Sequence, residues 1–218
     1  MYKAIVFDLD GTLIDSPLCF RSIRRALSIP DDSYILEYLE CLPEDQRNQK
    51  LEMLEAIEVE AAYNSTLFPG VQELFGELKS RGIRTGVFTR NCSAVVSVVS
   101  KKFDLAFDMF VTREDAPPKP NPAGLRMFLE KRNLKEQDLL YVGDFKFDID
   151  CGKEVGVKTA LFTNGRPHHE PLSPDHVIHN YFDFWSQINM EVTHAHSTCS
   201  VHDDMIFSNA ISRSEITS

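Results

Sequence analysis

Ala4-Ile5-Val6-Phe7-Asp8-Leu9-Asp10-Gly11-Thr12-Leu13-Ile14-Asp15 is the stretch around which the chain is organised. Its short apolar opening contains β-branched residues and ends abruptly in two aspartates, the pattern of a buried parallel strand. Asp8 and Asp10 then fall at the strand's C-terminal end, where open α/β sheets bind ligands. In extended backbone their side chains would share one face. Gly11 lets the chain turn sharply and lets its amide approach a ligand closely. Taken by itself, the segment is equally well a strand running into an ordinary acidic turn. The rest of the chain has to decide.

Bulk composition narrows the function classes. The 218 residues suffice for one domain, or for a domain carrying a smaller insert, and 43% apolar content supports a real core. Acidic residues outnumber basic ones 33 to 23, for a net charge of −10. Nucleic acid is excluded as a partner on this balance, because phosphate backbones call for a basic footprint. The five cysteines are odd in number, scattered and without a CxxC pair, as in a reduced cytosolic protein. No apolar run approaches the ~20 residues of a membrane helix. Met1-Tyr2-Lys3 enters the first strand directly, with no room for a signal peptide, so a cytoplasmic, membrane-free protein is expected.

After Asp15 and Ser16 the pattern turns helical for about fifty residues. Leu18, Ile23, Leu27 and Ile29 recur at helical spacing, as do Ile35, Leu36, Leu39 and Leu42. Glu44 to Asn64 has neither Gly nor Pro and is rich in good helix formers. This block, residues 16–66, is expected to be a small all-helical cap inserted into a core made of residues 1–15 and 67–190.

Strand–helix alternation resumes beyond it. Val71, Leu74, Phe75 and Leu78 form an amphipathic helix closed by Arg81-Gly82. Arg84 to Thr89 is a second buried strand, Phe107 to Val111 a third, Leu139 to Asp144 a fourth and Val157 to Phe162 a fifth. Asn121 and Pro122 suit the cap and first position of a helix, holding Lys119 on a proline-stiffened loop before it. Val177-Ile178 reads as an edge segment and Tyr181 to Ile188 as a last core helix. From Glu191 onward apolar periodicity is lost, and residues 191–218 are expected to be a disordered tail. Neither His194/His196 nor His168-His169 has further ligands at sensible spacing, so no metal is assigned to them.

Several strands thus end in reactive polar groups: Asp8 and Asp10, Thr89, Lys119 one loop beyond its strand, and Asp144 with Asp148. A doubly wound parallel sheet brings such ends to one crevice. The set suits phosphoryl transfer. Carboxylates hold Mg²⁺ through hard oxygens, a lysine and a hydroxyl hold phosphate oxygens, and one aspartate remains as nucleophile.

In order and placement, Asp8-Leu9-Asp10-Gly11-Thr12, Thr89, Lys119-Pro120 and Gly143-Asp144 with Asp148 resemble the four motifs of the haloacid dehalogenase superfamily. The helical block falls where the phosphoglycolate-phosphatase-like branch carries its cap. The resemblance implies an α/β fold, a Rossmann-like doubly wound parallel sheet with a small inserted all-helical cap. It also implies an Mg²⁺-dependent phosphatase of small phosphorylated metabolites working through an aspartyl-phosphate. Asp8 would be nucleophile and metal ligand. Asp10 would be the acid–base, its carbonyl also on the metal. Thr89, Lys119 and backbone amides of Leu9 to Gly11 would hold phosphate, Asp144 would complete the metal ligands, and Asp148 would support them from behind. An aspartate at position 10 points away from the halide-releasing members, since an alkoxide leaving group benefits from a proton and a halide does not.

The chain departs from the family at three points. Phe145 stands where Ser or Thr is common after the metal aspartate. Arg90 follows Thr89, and is either a clamp for a second anionic group of the substrate or a surface arginine at a helix start. The insert is shorter than many caps of this branch. A phosphomutase, or a catalytically weak binding or regulatory member, are the alternatives. Substrate identity and oligomeric state are not encoded in any motif.

Overall fold

The computed structural model describes residues 2–167 and 172–188. The expected tail at 191–218 and the histidines at 168, 169, 194 and 196 lie outside the described residues. Strand β1 (Ala4–Phe7) is buried along its whole length, as an apolar run needs to be. It pairs in parallel on one side with β4 (Arg84–Phe88) and on the other with β6 (Leu139–Gly143). With β5 (Met109–Val111), β7 (Lys158–Phe162) and β8 (His176–Ile178) the sheet order is β5-β4-β1-β6-β7-β8, every pair parallel. The chain runs outward from β1 to β5, then returns to β6 and runs the other way. The reversal, between β1 and β6, is where a doubly wound sheet opens a crevice. The expected Rossmann-like sheet is what forms.

Side-chain parity divides the core into two layers. Ile5 and Phe7 face one layer with Leu140 and Val142, under helices α4 (Val71–Ser80) and α5 (Ser93–Phe103). Val6 faces the other with Leu139 and Tyr141, under α6 (Ala123–Arg132) and α7 (Lys146–Val155). Val6 lies directly beside Tyr141 in the register. Asp8, two residues on from Val6, therefore emerges toward α7.

Residues between the first strand and α4 form α1 (Phe20–Ala26), α2 (Ile35–Glu40) and α3 (Glu44–Asn64). Ile23, Leu27, Leu36, Leu39 and Leu54 give this block its own apolar centre. At its neck, β2 (Ile14–Asp15) and β3 (Thr66–Leu67) pair antiparallel, Ile14 opposite Leu67. Two residues per strand carry no readable alternation, so this pair has no signature in the sequence.

Some expected boundaries shift. The third strand begins at Met109 rather than Phe107. Tyr181 to Asp183 form a turn, and the last helix is the single turn α8 (Phe184–Gln187). The start of α6 also shifts by one residue: Pro122 takes the cap position, its carbonyl accepting the Arg126 N–H, while the Asn121 side chain just before it accepts the Ala123 N–H at 3.0 Å. The four cysteines described, Cys19, Cys41, Cys92 and Cys151, are all free. No described helix is long and apolar enough to cross a membrane.

Candidate active site

Asp8, Thr89 and Asp144 each follow directly on the last residue of β1, β4 and β6, three neighbouring strands. The strand ladder carries on into them: the Asp8 N–H donates to the Val142 carbonyl at 2.8 Å, and the Thr89 N–H to the Val111 carbonyl at 3.0 Å. Lys119 reaches in from the loop beyond β5 and is 2% exposed. Its ammonium sits 2.6 Å from Asp8 Oδ1 and 2.7 Å from Asp148 Oδ1. Two of its three N–H bonds are thereby committed to carboxylates, leaving a third.

Asp148 accepts three hydrogen bonds. Oδ1 accepts from Lys119 and, at 2.8 Å, from the Tyr141 hydroxyl, while Oδ2 accepts the Phe145 N–H at 3.0 Å. Asp148 thus closes the first turn of α7 and holds Lys119 at once. Asp144 keeps a freer carboxylate, with the Thr12 hydroxyl donating to Oδ1 at 3.2 Å. Oxygens of Asp8, Asp144 and Asp148 all lie within 4.8 Å of one another. Three hard oxygen donors this close fit a magnesium ion. Asp148 already accepts three hydrogen bonds and Asp8 pairs with Lys119 through one oxygen, whereas Asp144 accepts one, so Asp8 and Asp144 keep more open acceptor positions for a metal than Asp148 does.

The electrostatics reflect this crowding. Burial pushes the Asp8 carboxyl up to about 7, against the opposing pull of Lys119. Asp144 is held well above the ordinary carboxylate range by burial, then by the charges of Asp8 and Asp148. For Lys119 burial works downward, but Asp148 and Asp8 outweigh it and hold the ammonium above its usual range.

Glycine is required at two places. Gly11 has φ +79°, and a Cβ there would lie 2.3 Å from an Asp144 carboxylate oxygen. A Cβ on Gly143 would strike the Asp148 carboxyl at 2.2 Å. Both glycines make room for the carboxylates.

Asp10 belongs to a different network from Asp8. The chain leaves the extended line at once, because the Leu9 carbonyl accepts N–H groups from Leu13 and Ile14 at 2.8 and 3.0 Å. Asp10 Oδ1 accepts from Ser16 Oγ and Oδ2 from Asn91 Nδ2. Burial raises its pKa, with Ser16 and Asn91 acting in the other direction. The two aspartates therefore meet different partners, although simple alternation would have put them together. Thr89 Oγ1 accepts from Asn91 N and Nδ2 at 3.1 and 3.2 Å. Its acceptor positions are filled, and its own proton is what remains to be donated.

A sequence profile described as haloacid dehalogenase-like hydrolase matches residues 5–162. The chain belongs to the haloacid dehalogenase-like hydrolases. An uncharacterized hydrolase of Saccharomyces cerevisiae is 34% identical over 169 residues, covering 74% of this chain and 78% of the relative. A phosphoglycolate phosphatase of Vibrio parahaemolyticus is 30% identical over 207 residues, covering 80% of this chain and 91% of the relative. A solved hydrolase from Pseudomonas syringae, 18% identical, superposes with a TM-score of 0.71 over 86% of this chain and 98% of that one, a likeness of fold.

As a haloacid dehalogenase-like hydrolase, the chain shows individual features at the seam between its helical block and its sheet. Arg90 does not stand open. Its two Nη atoms pair with both carboxylate oxygens of Glu37 on α2, at 2.9 and 2.8 Å. Nη1 also donates to the Lys119 carbonyl, and the guanidinium lies 4.9 Å from the Phe147 ring centre. Arg113 Nη1 pairs with Glu58 of α3 at 2.5 Å, both nearly buried. Burial pushes Glu58 up to about 7 despite Arg113. The Gly11 N–H, expected beside a phosphate, donates instead to the Ile14 carbonyl at 2.8 Å. Ser16, Asn91, Tyr141 and Glu37 all touch the site residues and carry no assigned role in the sequence reading, and Thr12, part of the first motif, has none of its own there either. Asn91 could have been given one, since it sits two residues past Thr89 in the same polar strand end. Glu37 carries no such signal.

Proposed function

We propose that the protein is an Mg²⁺-dependent hydrolase of small phosphomonoesters, acting through an aspartyl-phosphate on Asp8. The buried ammonium of Lys119 between Asp8 and Asp148, beside Asp144 and Thr89, carries this reading. Asp8 and Asp144, with the Asp10 carbonyl, would hold the metal. When bound, Mg²⁺ offsets the repulsion of these carboxylates and neutralises charge on the phosphoryl oxygens. The third N–H of Lys119 and the free hydroxyl proton of Thr89 would bind phosphate oxygens. Because the Gly11 amide is taken by Ile14, any amide contact falls to the turn before it.

An Asp8 oxygen attacks phosphorus and the ester P–O bond breaks. Asp10, whose pKa burial raises, gives its proton to the departing alkoxide. The resulting Asp10 carboxylate then takes a proton from water, whose oxygen attacks the same phosphorus and frees the Asp8 carboxylate and inorganic phosphate. Ser16 and Asn91 hold Asp10 in place for both transfers. Residues 16–66 serve as a cap over the core of residues 1–15 and 67–190, and the contacts of Arg90 and Arg113 with α2 and α3 support that role. The phosphoglycolate phosphatase among the relatives supports the substrate class.

The test is Asp8→Asn. Hydrolysis of an aryl phosphate should fall by more than about a thousandfold with the circular dichroism spectrum unchanged. Turnover at the wild-type rate would sink the mechanism.

A further inference from the structure

An aromatic cluster lies along the cap–core seam, and each of its core members is adjacent in sequence to a residue of the proposed phosphate site. Phe145 follows Asp144, and Phe147 precedes Asp148. Their rings meet edge-on, 5.1 Å apart at 90°. From the cap side, the ring of Tyr34 packs 4.9 Å from Phe147. Two cations border the group: the Arg90 guanidinium over Phe147, and the Lys146 ammonium 5.7 Å from the Tyr34 ring and 5.5 Å from Phe147.

Phe147 is half-buried, but Phe145 and Tyr34 are 41% and 46% exposed. Neither joins an apolar core of the molecule. An edge-on contact uses the rim of one ring and one face of the other, so open aromatic surface remains on the pair. Aromatic faces left in water, on residues next in sequence to Asp144 and Asp148, form a platform on which a planar ring can stack.

We infer that Tyr34 and Phe145 select phosphomonoesters whose alcohol carries a planar aromatic or heteroaromatic ring, of the nucleoside monophosphate type. The inference rests on the phosphatase reading above. Phosphate would sit at Lys119 and Thr89, and the ring would lie against Phe145 with Tyr34 closing over it from the cap. A serine or threonine at position 145 would offer a hydroxyl and no stacking face.

The experiment uses the full chain with Asp8→Asn, so that ligands bind without turnover, and calorimetry with Mg²⁺ present. Adenosine 5′-monophosphate is compared with ribose 5-phosphate, which keeps the sugar and phosphate and carries a hydroxyl at C1 in place of the base. The nucleotide should bind about tenfold tighter or better, as base stacking on one aromatic allows. Adding Phe145→Ser or Tyr34→Ala should cut that advantage by about threefold or more and leave ribose 5-phosphate binding unchanged. Equal affinities, or an advantage that survives both substitutions, would overturn the inference while leaving the phosphatase reading intact. If neither ester nor inorganic phosphate binds, and the wild-type chain hydrolyses no aryl phosphate, both fall together.

Discussion

Two groups of ion pairs surround the site, and they differ in depth. Within the core, Lys119 meets Asp8 and Asp148 with 2% of its side chain exposed. At the cap seam the pairing is graded. Arg113 and Glu58 are nearly as buried, at 8% and 9%, while Arg90 and Glu37 keep 24% and 40% of their side chains in water. A buried ion with its partner removed is far costlier than an exposed one, because solvent cannot take the partner's place. The same charge chemistry thus ties Lys119 into the sheet's end and joins the helical block to it by contacts of unequal depth.

Lys119→Met tests the deep end. It would leave Asp8, Asp144 and Asp148 crowded and without their cation. A loss of about 3–5 kcal/mol is expected in urea unfolding without divalent metal, along with loss of activity. Stability equal to wild type would mean that the carboxylates are already neutral, and that the lysine is not what lets them share the site.

Glu58 comes next, and it makes stability depend on pH. Its folded pKa of about 7 lies above the 4.5 of the free side chain, burial being the larger influence and Arg113 the opposing one. The folded state therefore binds more protons than the unfolded between those values. The contribution is fully present below pH 4.5 and is lost as pH rises through 7. Glu58→Gln should remove this dependence, so that its stability relative to wild type rises by up to about 3 kcal/mol between pH 4.5 and pH above 7, whatever constant cost comes from leaving Arg113 without a charged partner. Chemical unfolding of both proteins at the two pH values checks it. A constant difference between them would show that Glu58 stays ionised against Arg113 throughout.

The core side of the comparison was largely legible in sequence. An apolar run that stops at an aspartate marks a strand end locally, and it does so at Asp8 and Asp144. Thr89 is marked in the same way, by a polar run ending its strand. A parallel sheet then has to bring those ends together, so chain-local signals sufficed. The seam was not legible. Glu37 and Arg90 are 53 residues apart, and Glu58 and Arg113 are 55 apart. Nothing near any of the four anticipates its partner, since each lies on a helix or loop whose packing is set by the whole fold. Arg90 illustrates this: its position after Thr89 suits either a substrate clamp or a surface arginine at a helix start, and neither reading anticipates its pairing with Glu37. Gly11 was expected for the right residue type and for a partly different reason. Its left-handed turn is there, and the missing Cβ is demanded as well by the Asp144 carboxylate, an oxygen of which lies 2.3 Å from where that Cβ would stand.

That close approach makes Gly11→Ala a sharper probe of the core than most charge changes. The methyl group must displace Asp144 or shift the turn, at a φ that alanine rarely adopts. Affinity for Mg²⁺, followed through the metal dependence of phosphate ester hydrolysis, should weaken by about ten- to a hundredfold. An unchanged metal dependence would remove Asp144 from the ligand set.

Glu37→Gln should have the smallest effect, and it bears most directly on how the cap is held. The amide keeps one acceptor oxygen for Arg90 but loses the charge and the second acceptor of the bidentate pair. Because both groups are partly in water, global stability should change by less than about 1 kcal/mol, and less still at high salt. The Arg90 guanidinium would remain anchored by the Lys119 carbonyl and the Phe147 ring, so it would not leave the seam. What it would gain is a free N–H edge one residue from Thr89. Affinity for phosphate esters bearing a second anionic group should therefore rise by a few-fold, with esters lacking one unaffected. If both kinds respond alike, Arg90 acts only as a brace between cap and core, and its position beside Thr89 has no bearing on what the site accepts.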